Sequence, residues 1–409
     1  MTLKEYLIES LIVNEGGMAG HMAHPIDFAD FTAADLKDLI SDLFEGRIED
    51  ITEKIDGNNV QATMREDGTV LFLRNNKDLN NVNGGMTIED MATKWADKPS
   101  VSHTYITAGQ IITKVFSKID PKFFNPEPNK KLAVNCECVI AGVTNIIPYA
   151  DAQVDFHDIY IYVKSEDKWE LEEVTKKGLD VINKACDGLD DAKLTPKVII
   201  DITKESNALI KKYHKMIDDL FTSANNMSID DWKYVKFCEH IENKYPWILD
   251  NLSGAKLLYN RWFKGDKSTN IKAIRQIYKD HVNELNELEK KVYKDIVSDV
   301  IDPLDNIFIK LGNDIIRLCK GLINGSSNDN VIKHLQDEMK SVIKDVEANG
   351  TSETQAKLIR QLQRIENAGG EGSINSVEGI VFKYKGRLMK LTGSFAPLNQ
   401  ILGSIKFSR

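Results

Sequence analysis

Between about Ser165 and Gly369 the sequence keeps an almost wholly helical apolar period, while the segments on either side of it carry strand patterns. Leu209, Ile210, Tyr213, Met216, Ile217, Leu220 and Phe221 fall at three- and four-residue steps. Ile274, Ile277, Tyr278, Val282, Leu285, Leu288, Val292 and Ile296 do the same among Lys, Glu and Asp. Such spacing lines one helix face with packing surface. Residues up to about Lys164 mix helix and strand patterns, with β-branched runs and turn signals. After the loop NAGGEGSINS come VEGIVFKYKG and RLMKLTGSF, joined at Lys385-Gly386 like a hairpin. A helical block between strand-rich segments predicts an insertion in a β-containing domain, with the last strands pairing near the N-terminus. The expected organisation is a core built from 1–164 and 370–409, with 165–369 inserted as a helical domain.

The 409 residues suffice for two or three domains with full cores. With 42% hydrophobic and 28% charged residues the composition is that of an ordinary soluble protein. No apolar run is long enough to span a bilayer, so no membrane partner is expected. The opening MTLKEYLIESLIVNEGG predicts a short amphipathic helix and a Gly turn, not a signal peptide. Five cysteines without regular spacing fit reduced thiols in a cytoplasmic setting. Cys136 and Cys138 flank Glu137 in strand-like alternation, so the thiols face one way and the carboxylate the other. No second Cys pair lies nearby, and the pattern does not suit zinc. A formal net charge of −9 argues mildly against a nucleic-acid partner. A local basic groove can nevertheless sit on an acidic protein.

The sharpest local feature is Glu53-Lys54-Ile55-Asp56-Gly57-Asn58-Asn59, set between a helical pattern (AADLKDLISDLFEG) and a strand (VQATM). A lysine, an acid and a glycine in this order make a compact turn that can aim an amine into a cleft. The same residues describe a surface turn with a solvated lysine. Further strands come downstream in a definite order. VLFLRNNKD carries a strand ending in Arg74, and LAVNCECVIAG sets Glu137 in a strand bounded by Gly142. QVDFHDIYIYV puts Phe156, His157, Asp158 and Tyr160 on another strand. Beyond the helical block come Glu378-Gly379-Ile380-Val381-Phe382-Lys383 and Met389-Lys390-Leu391-Thr392.

In this order the segments resemble the motifs of the covalent nucleotidyltransferase superfamily, which holds ATP-dependent DNA ligases, RNA ligases and mRNA capping enzymes. KIDG is similar to the nucleotidyl-lysine motif, CECV to the third motif, HDIY to the motif just after it, EGIVFK to the fourth and MKLT to the fifth. KIDGNN followed by a strand and an Arg looks closest to phage-type RNA ligases. The resemblance covers about residues 50–164 and 374–395 and says nothing of the helical block. It implies an α+β nucleotidyltransferase (ATP-grasp-like ligase adenylation) fold, with antiparallel sheets framing an ATP cleft and a large all-α domain inserted. It also implies ATP-dependent joining of RNA ends with Mg²⁺ as cofactor. Lys54 would be adenylylated, AMP would pass to a 5′-phosphate, and a 3′-hydroxyl would displace it. A phage-encoded chain of this kind would work in the host cytoplasm. Two other readings stand beside this one: a nucleotidyltransferase with a non-RNA acceptor, and a degenerate relative that binds nucleotide without catalysis.

The residue types suit the chemistry. Free lysine titrates near 10.4 and must lose a proton before it can attack phosphorus. By resemblance, Lys383 and Lys390 would supply cations that lower that pKa and neutralise the α-phosphate. Glu378 would hold Mg²⁺, and Glu137 would hold the ribose hydroxyls or a metal-bound water. Arg74 would contact a phosphate or the ribose. Phe156 or His157 would stack on the purine, with Asp56, Gly57 and Asp158 completing the nucleotide-binding set. On spacing alone, Glu378 also reads as the end of a loop, and His157 as a structural strand histidine. Asp158 reads equally as a buried acid paired with backbone, and Lys383 and Lys390 as parts of a half-exposed hairpin face.

The sequence departs from the family pattern in places. The fifth motif often has two lysines, but here Thr392 or Leu388 fills one position, depending on alignment. Asn58 and Asn59 stand where DNA ligases usually have an Arg, which favours RNA-ligase-like architecture. Residues 396–409 are too few for an appended oligonucleotide-binding barrel, so any strand clamp is expected from the insertion or a partner. Within the insertion, the run from Tyr259 to Lys267 mixes cations with aromatics. It fits either base stacking or a helix end with Trp262 in the core. Lys211, Lys212 and Lys215 read as a solvated helix face. Gly20-His21-Met22-Ala23-His24-Pro25 reads as a loop over the nucleotide cleft.

Overall fold

Thr52–Lys54 (β1) finds its hydrogen-bonded partner at the far end of the chain, in Gly379–Tyr384 (β10). The computed structural model describes residues 22–74, 76–81, 83–140, 146–222, 225–263, 271–325 and 327–406. The expected leader helix, His21, Gly142 and Lys264–Lys267 lie outside these residues. The architecture is α+β, with helices packed on antiparallel sheets.

The larger sheet has six strands. These are Asn58–Met64 (β2), Val70–Leu73 (β3), Lys130–Val139 (β4), Gln153–Ser165 (β5), Lys168–Thr175 (β6) and Ala192–Leu194 (β7), in the order β3-β2-β4-β5-β6 with β7 parallel to β5. Period-two alternation divides its faces. Val60, Ala62, Cys136, Cys138, Val154 and Phe156 enter one core, closed by Ile112, Val115 and Phe116 of the helix Pro99–Phe116. Glu137 lies between the two buried thiols in sequence and on the other face, as the alternation requires.

The chain expected to be helical from 165 onward begins instead with β6, the helix Leu179–Cys186 and β7, all part of the large sheet's layer. The helical pattern begins in earnest at Lys204. KWELEEVT escapes a composition-level reading because charged residues fill its exposed positions, while Trp169 and Leu171 pack toward Tyr160 and Tyr162. Two-residue strands Ile199–Ile200 (β8) and Cys319–Lys320 (β9) then pair across the helical block.

The smaller sheet runs β1-β10-β11, where β11 is Arg387–Leu391. Its β10–β11 turn is the expected hairpin, with Lys385 at φ 47 and Gly386 at φ 77, the twist that tight two-residue hairpins prefer. Ile380, Phe382, Met389 and Leu391 bury one face against Leu304, Phe308, Leu311 and Ile315 of the long helix Val282–Leu318. The second apolar window is broken by a 3-10 turn at Lys279–His281, yet Ile274, Tyr278, Leu285 and Leu288 still meet in one core. Trp262 joins that core, which favours the helix-end reading over base stacking. After β11 the chain turns into the helix Phe395–Lys406, whose Leu398 and Leu402 pack with Leu335 and Met339.

Candidate active site

Strand alternation decides what the small sheet offers. Lys54 pairs with Gly379, and Val381 with Lys390. Gly379, Val381 and Lys383 are alternate residues of β10, so Lys54, Lys383 and Lys390 all project from the face opposite the apolar core. Lys54 is mostly shielded, at 18% exposure, and ion-pairs with the 6% exposed Glu378. Gly379 allows the strands this closeness, because a Cβ there would strike the Leu391 carbonyl and sit 2.8 Å from Thr392 Cα. Ala23 forms a bridge to Met389, and its carbonyl accepts from the Lys390 N–H at 3.0 Å, so the end of the leader lies along β11.

The large sheet carries a polar row on the face opposite its apolar core. Asn59, Glu137 and Asp155 are cross-strand neighbours, as are Gln61, Asn135 and Asp158. Asn59 donates to Glu137 Oε2 at 3.3 Å. Loss of solvation pushes the Glu137 carboxyl up to about 7, against the pull of Lys54 and the Asn59 amide. Asp155, also desolvated, rises to about 6. Burial raises Asp158 as well, opposed by Lys176 and Lys383. Burial and the nearby Lys54 and Lys176 charges hold His157 down to about 4, so its ring is neutral at pH 7. Lys54 thus acts on Glu137 and His157, and Lys383 on Asp158, across one cleft.

His157 owes its place to a β-bulge. Asn135 pairs with Asp158 but Cys136 with Phe156, leaving His157 as the extra residue. Its Nδ1 lies 2.7 Å from Thr195 Oγ1, which fixes the ring plane. Phe156 points the other way: it is 1% exposed, packed against Phe116 in the core, and stacking on a purine is ruled out for it. Of the two aromatic candidates only His157 belongs to the cleft side.

The remaining candidates build the walls. Asp56 Oδ2 accepts from the Ile146 and Ile147 amides at 2.6 and 2.8 Å, and the Asp56 N–H donates to Tyr149 Oη at 3.0 Å. Gly57 must lack a side chain, since a Cβ would lie 2.9 Å from both Glu137 Cγ and the Cys138 carbonyl. The Arg74 guanidinium donates to the Asn59 carbonyl and lies 5.0 Å from the centre of the Tyr105 ring, while still acting on Glu137. Thr392, one of the two positions left open for a second lysine, is buried, and its hydroxyl has no hydrogen-bond partner among the described residues; Leu388, the other, is 42% exposed. Sequence reasoning missed Asp155 and Thr195. Asp155 was within reach, as it lies two residues before His157 on a strand already assigned, but Thr195 carried no motif.

Comparison with protein-family models, curated proteins and solved structures finds no match to this chain. Among the described residues no helix is long and apolar enough to cross a membrane, and no group of three or more His, Cys, Asp or Glu is gathered as a metal cage.

Proposed function

We propose that this chain is an ATP-dependent nucleotidyltransferase of the RNA-ligase kind, with a nucleotidyltransferase fold in which Lys54 takes up AMP covalently. The observation that carries the reading is that Lys54, Lys383 and Lys390 project from one face of the small sheet, with Lys54 acting on Glu137 and His157 and Lys383 on Asp158 of the large one. Lys54, ion-paired to Glu378, must leave that pair and give up its ammonium proton to water before it can react. The freed amine attacks the α-phosphorus of ATP; an N–P bond forms, the bond to the bridging oxygen breaks, and pyrophosphate leaves with that electron pair. Lys383 and Lys390 offset the charge that builds on the phosphates. AMP then moves to an RNA 5′-phosphate, and a 3′-hydroxyl displaces it once both ends are held in line.

Mg²⁺ commonly takes one or two protein carboxylates and fills its shell with phosphate oxygens and waters, so it needs no protein cage. Glu378 and Glu137, both beside Lys54, suit that role. The ion would supply further charge neutralisation at the leaving pyrophosphate.

Intact-mass measurement after incubation with ATP and Mg²⁺, beside a Lys54→Ala control, tests the reading. An adenylyl mass present in the wild type and absent from the control supports it. An adduct that never seals 5′-phosphorylated RNA points to another acceptor. No adduct with ATP, GTP or NAD under varied metals overturns it and leaves a nucleotide-binding protein.

A further inference from the structure

The chain leaving the long helix returns directly to the strand that bears Lys54 and to the approach of the strand that Glu378 precedes. At Cys319–Lys320 it pairs with Ile199–Ile200, and just before these Lys197 bridges Thr52 while the Val198 N–H donates to the Ile51 carbonyl at 2.8 Å. It then turns at Gly321, φ 88, where a Cβ would sit 2.9 Å from the Lys197 carbonyl. The next residues make the decisive contacts. The Ile323 N–H donates to Glu53 Oε2 at 2.6 Å, one residue before Lys54. Asn324 Nδ2 donates to the Ser376 carbonyl at 3.3 Å, and the Asn328 N–H donates to Ser376 Oγ at 3.2 Å. Ser376 Oγ itself donates to the Gly325 carbonyl, two residues before Glu378.

We propose that this turn of the helical block, acting through Glu53 and Ser376, is a positioning device for Lys54 and Glu378, so that the seating of the block sets how the amine meets its carboxylate. The proposal rests on the nucleotidyltransferase reading for its catalytic consequence, but not for its geometry.

Packing alone does not account for these residues. Glu53 is 1% exposed on the same face of the small sheet as Ile380, where an apolar side chain would fill the space. It is a carboxyl instead, with one oxygen on the Ile323 amide and the other without a hydrogen-bond partner among the described residues. Desolvation raises it to about 7, with Asp155 adding to the rise and Lys193 opposing it. Burying such a group is unfavourable unless its bond to the turn is worth keeping. Ser376 is fully buried, and its hydroxyl and carbonyl together meet Asn324, Gly325 and Asn328. Lys54 and Glu378 are therefore each next or near to a residue, Glu53 or Ser376, that is tied to one short turn. Glu53 and Ser376 are positioning residues; neither is assigned contact with nucleotide.

Two readouts test this on the full chain. The first is competitive acetylation of lysines across a pH series, read by mass spectrometry as the Lys54 profile relative to Lys383. The second is the rate of adduct formation with ATP and Mg²⁺. Glu53→Ala and Asn324→Ala are expected to shift the Lys54 labelling midpoint while leaving that of Lys383 in place. They are also expected to slow adenylylation about tenfold or more at an unchanged KM for ATP, since small misplacements of reacting groups cost rate. Glu53→Gln, which keeps an oxygen for the Ile323 amide, should restore most of the loss. Folded variants with the wild-type Lys54 profile and rate would overturn the proposal. Should Glu53→Ala fail to fold, the peripheral Asn324→Ala decides. Should the wild type form no adduct, the function falls, and the labelling profiles alone still judge the positioning.

Discussion

The two walls of the cleft are assembled in different ways. In the large sheet, β4, β5 and β6 are consecutive neighbours and β2 lies between β3 and β4, so most pairings join segments close in sequence. In the small sheet, β1 pairs with β10 across the whole helical block. The acidic wall is thus built from near neighbours, whereas the lysine wall exists only once the block has closed a very long loop. Loop-closure entropy makes such pairing late and dependent on what the loop itself forms. Here the long helix Val282–Leu318 supplies the surface on which β10 and β11 rest. The contrast implies that the large sheet can hold its form when the small one is disturbed.

The largest effects should come from core truncations that break this contrast open. Leu311→Ala and Ile112→Ala each remove a fully buried side chain, the first beneath the small sheet and the second beneath the large one. Each is expected to cost about 3 kcal/mol. Amide exchange should show Leu311→Ala releasing the β1, β10 and β11 amides well before those of β4 and β5. Equal loss in both sheets would erase the distinction. Next in size is Gly379→Ala, whose Cβ collides with the Leu391 carbonyl. It should cost about 2 kcal/mol in urea unfolding and remove adduct formation, because the strands beside Lys54 must part.

A smaller effect tests the cleft by pH. Glu53 on the small sheet and Glu137 on the large one are both raised from 4.5 to about 7. A carboxyl with a raised folded pKa contributes stability that is full below its unfolded value and lost as pH climbs through the folded one. The wild type should therefore lose stability between pH 4.5 and 7 through these two groups. Glu53→Gln and Glu137→Gln should each flatten that decline, seen as urea midpoints at pH 5 and pH 8 that lie closer together than in the wild type. Unchanged slopes in both would contradict the assigned burial. The smallest effect is Lys385→Ala, which removes a half-exposed ion pair to Asp35 at the hairpin tip. It should cost about 0.5 kcal/mol and leave adduct formation intact.

Much of the cleft was legible in order and alternation. The strand around Glu137, the hairpin at Lys385-Gly386 and the lysines of EGIVFK and MKLT follow from period-two patterning and turn chemistry, both of which are local. The split between the thiols and Glu137 follows the same way. Less legible were features that depend on a partner strand. The bulge at His157 arises only when β4 and β5 are paired, and it is what separates the buried Phe156 from the cleft-side His157. β6 hid among charges because its apolar side chains are few and its partner lies on the preceding strand.

By itself, then, the amino-acid sequence determined most of the strands and helices outside 165–203, the faces that they bury, and that strand-rich ends flank a helical block. The register of Lys54 against Gly379, the pairing of Lys54 with Glu378, and the ties from Glu53 and Ser376 to Ile323, Asn324, Gly325 and Asn328 were decided only in the folded chain. The physical reason is distance along the chain. Periodicity records what a residue does relative to its near neighbours. Contacts between residues hundreds of positions apart depend on how every intervening element packs.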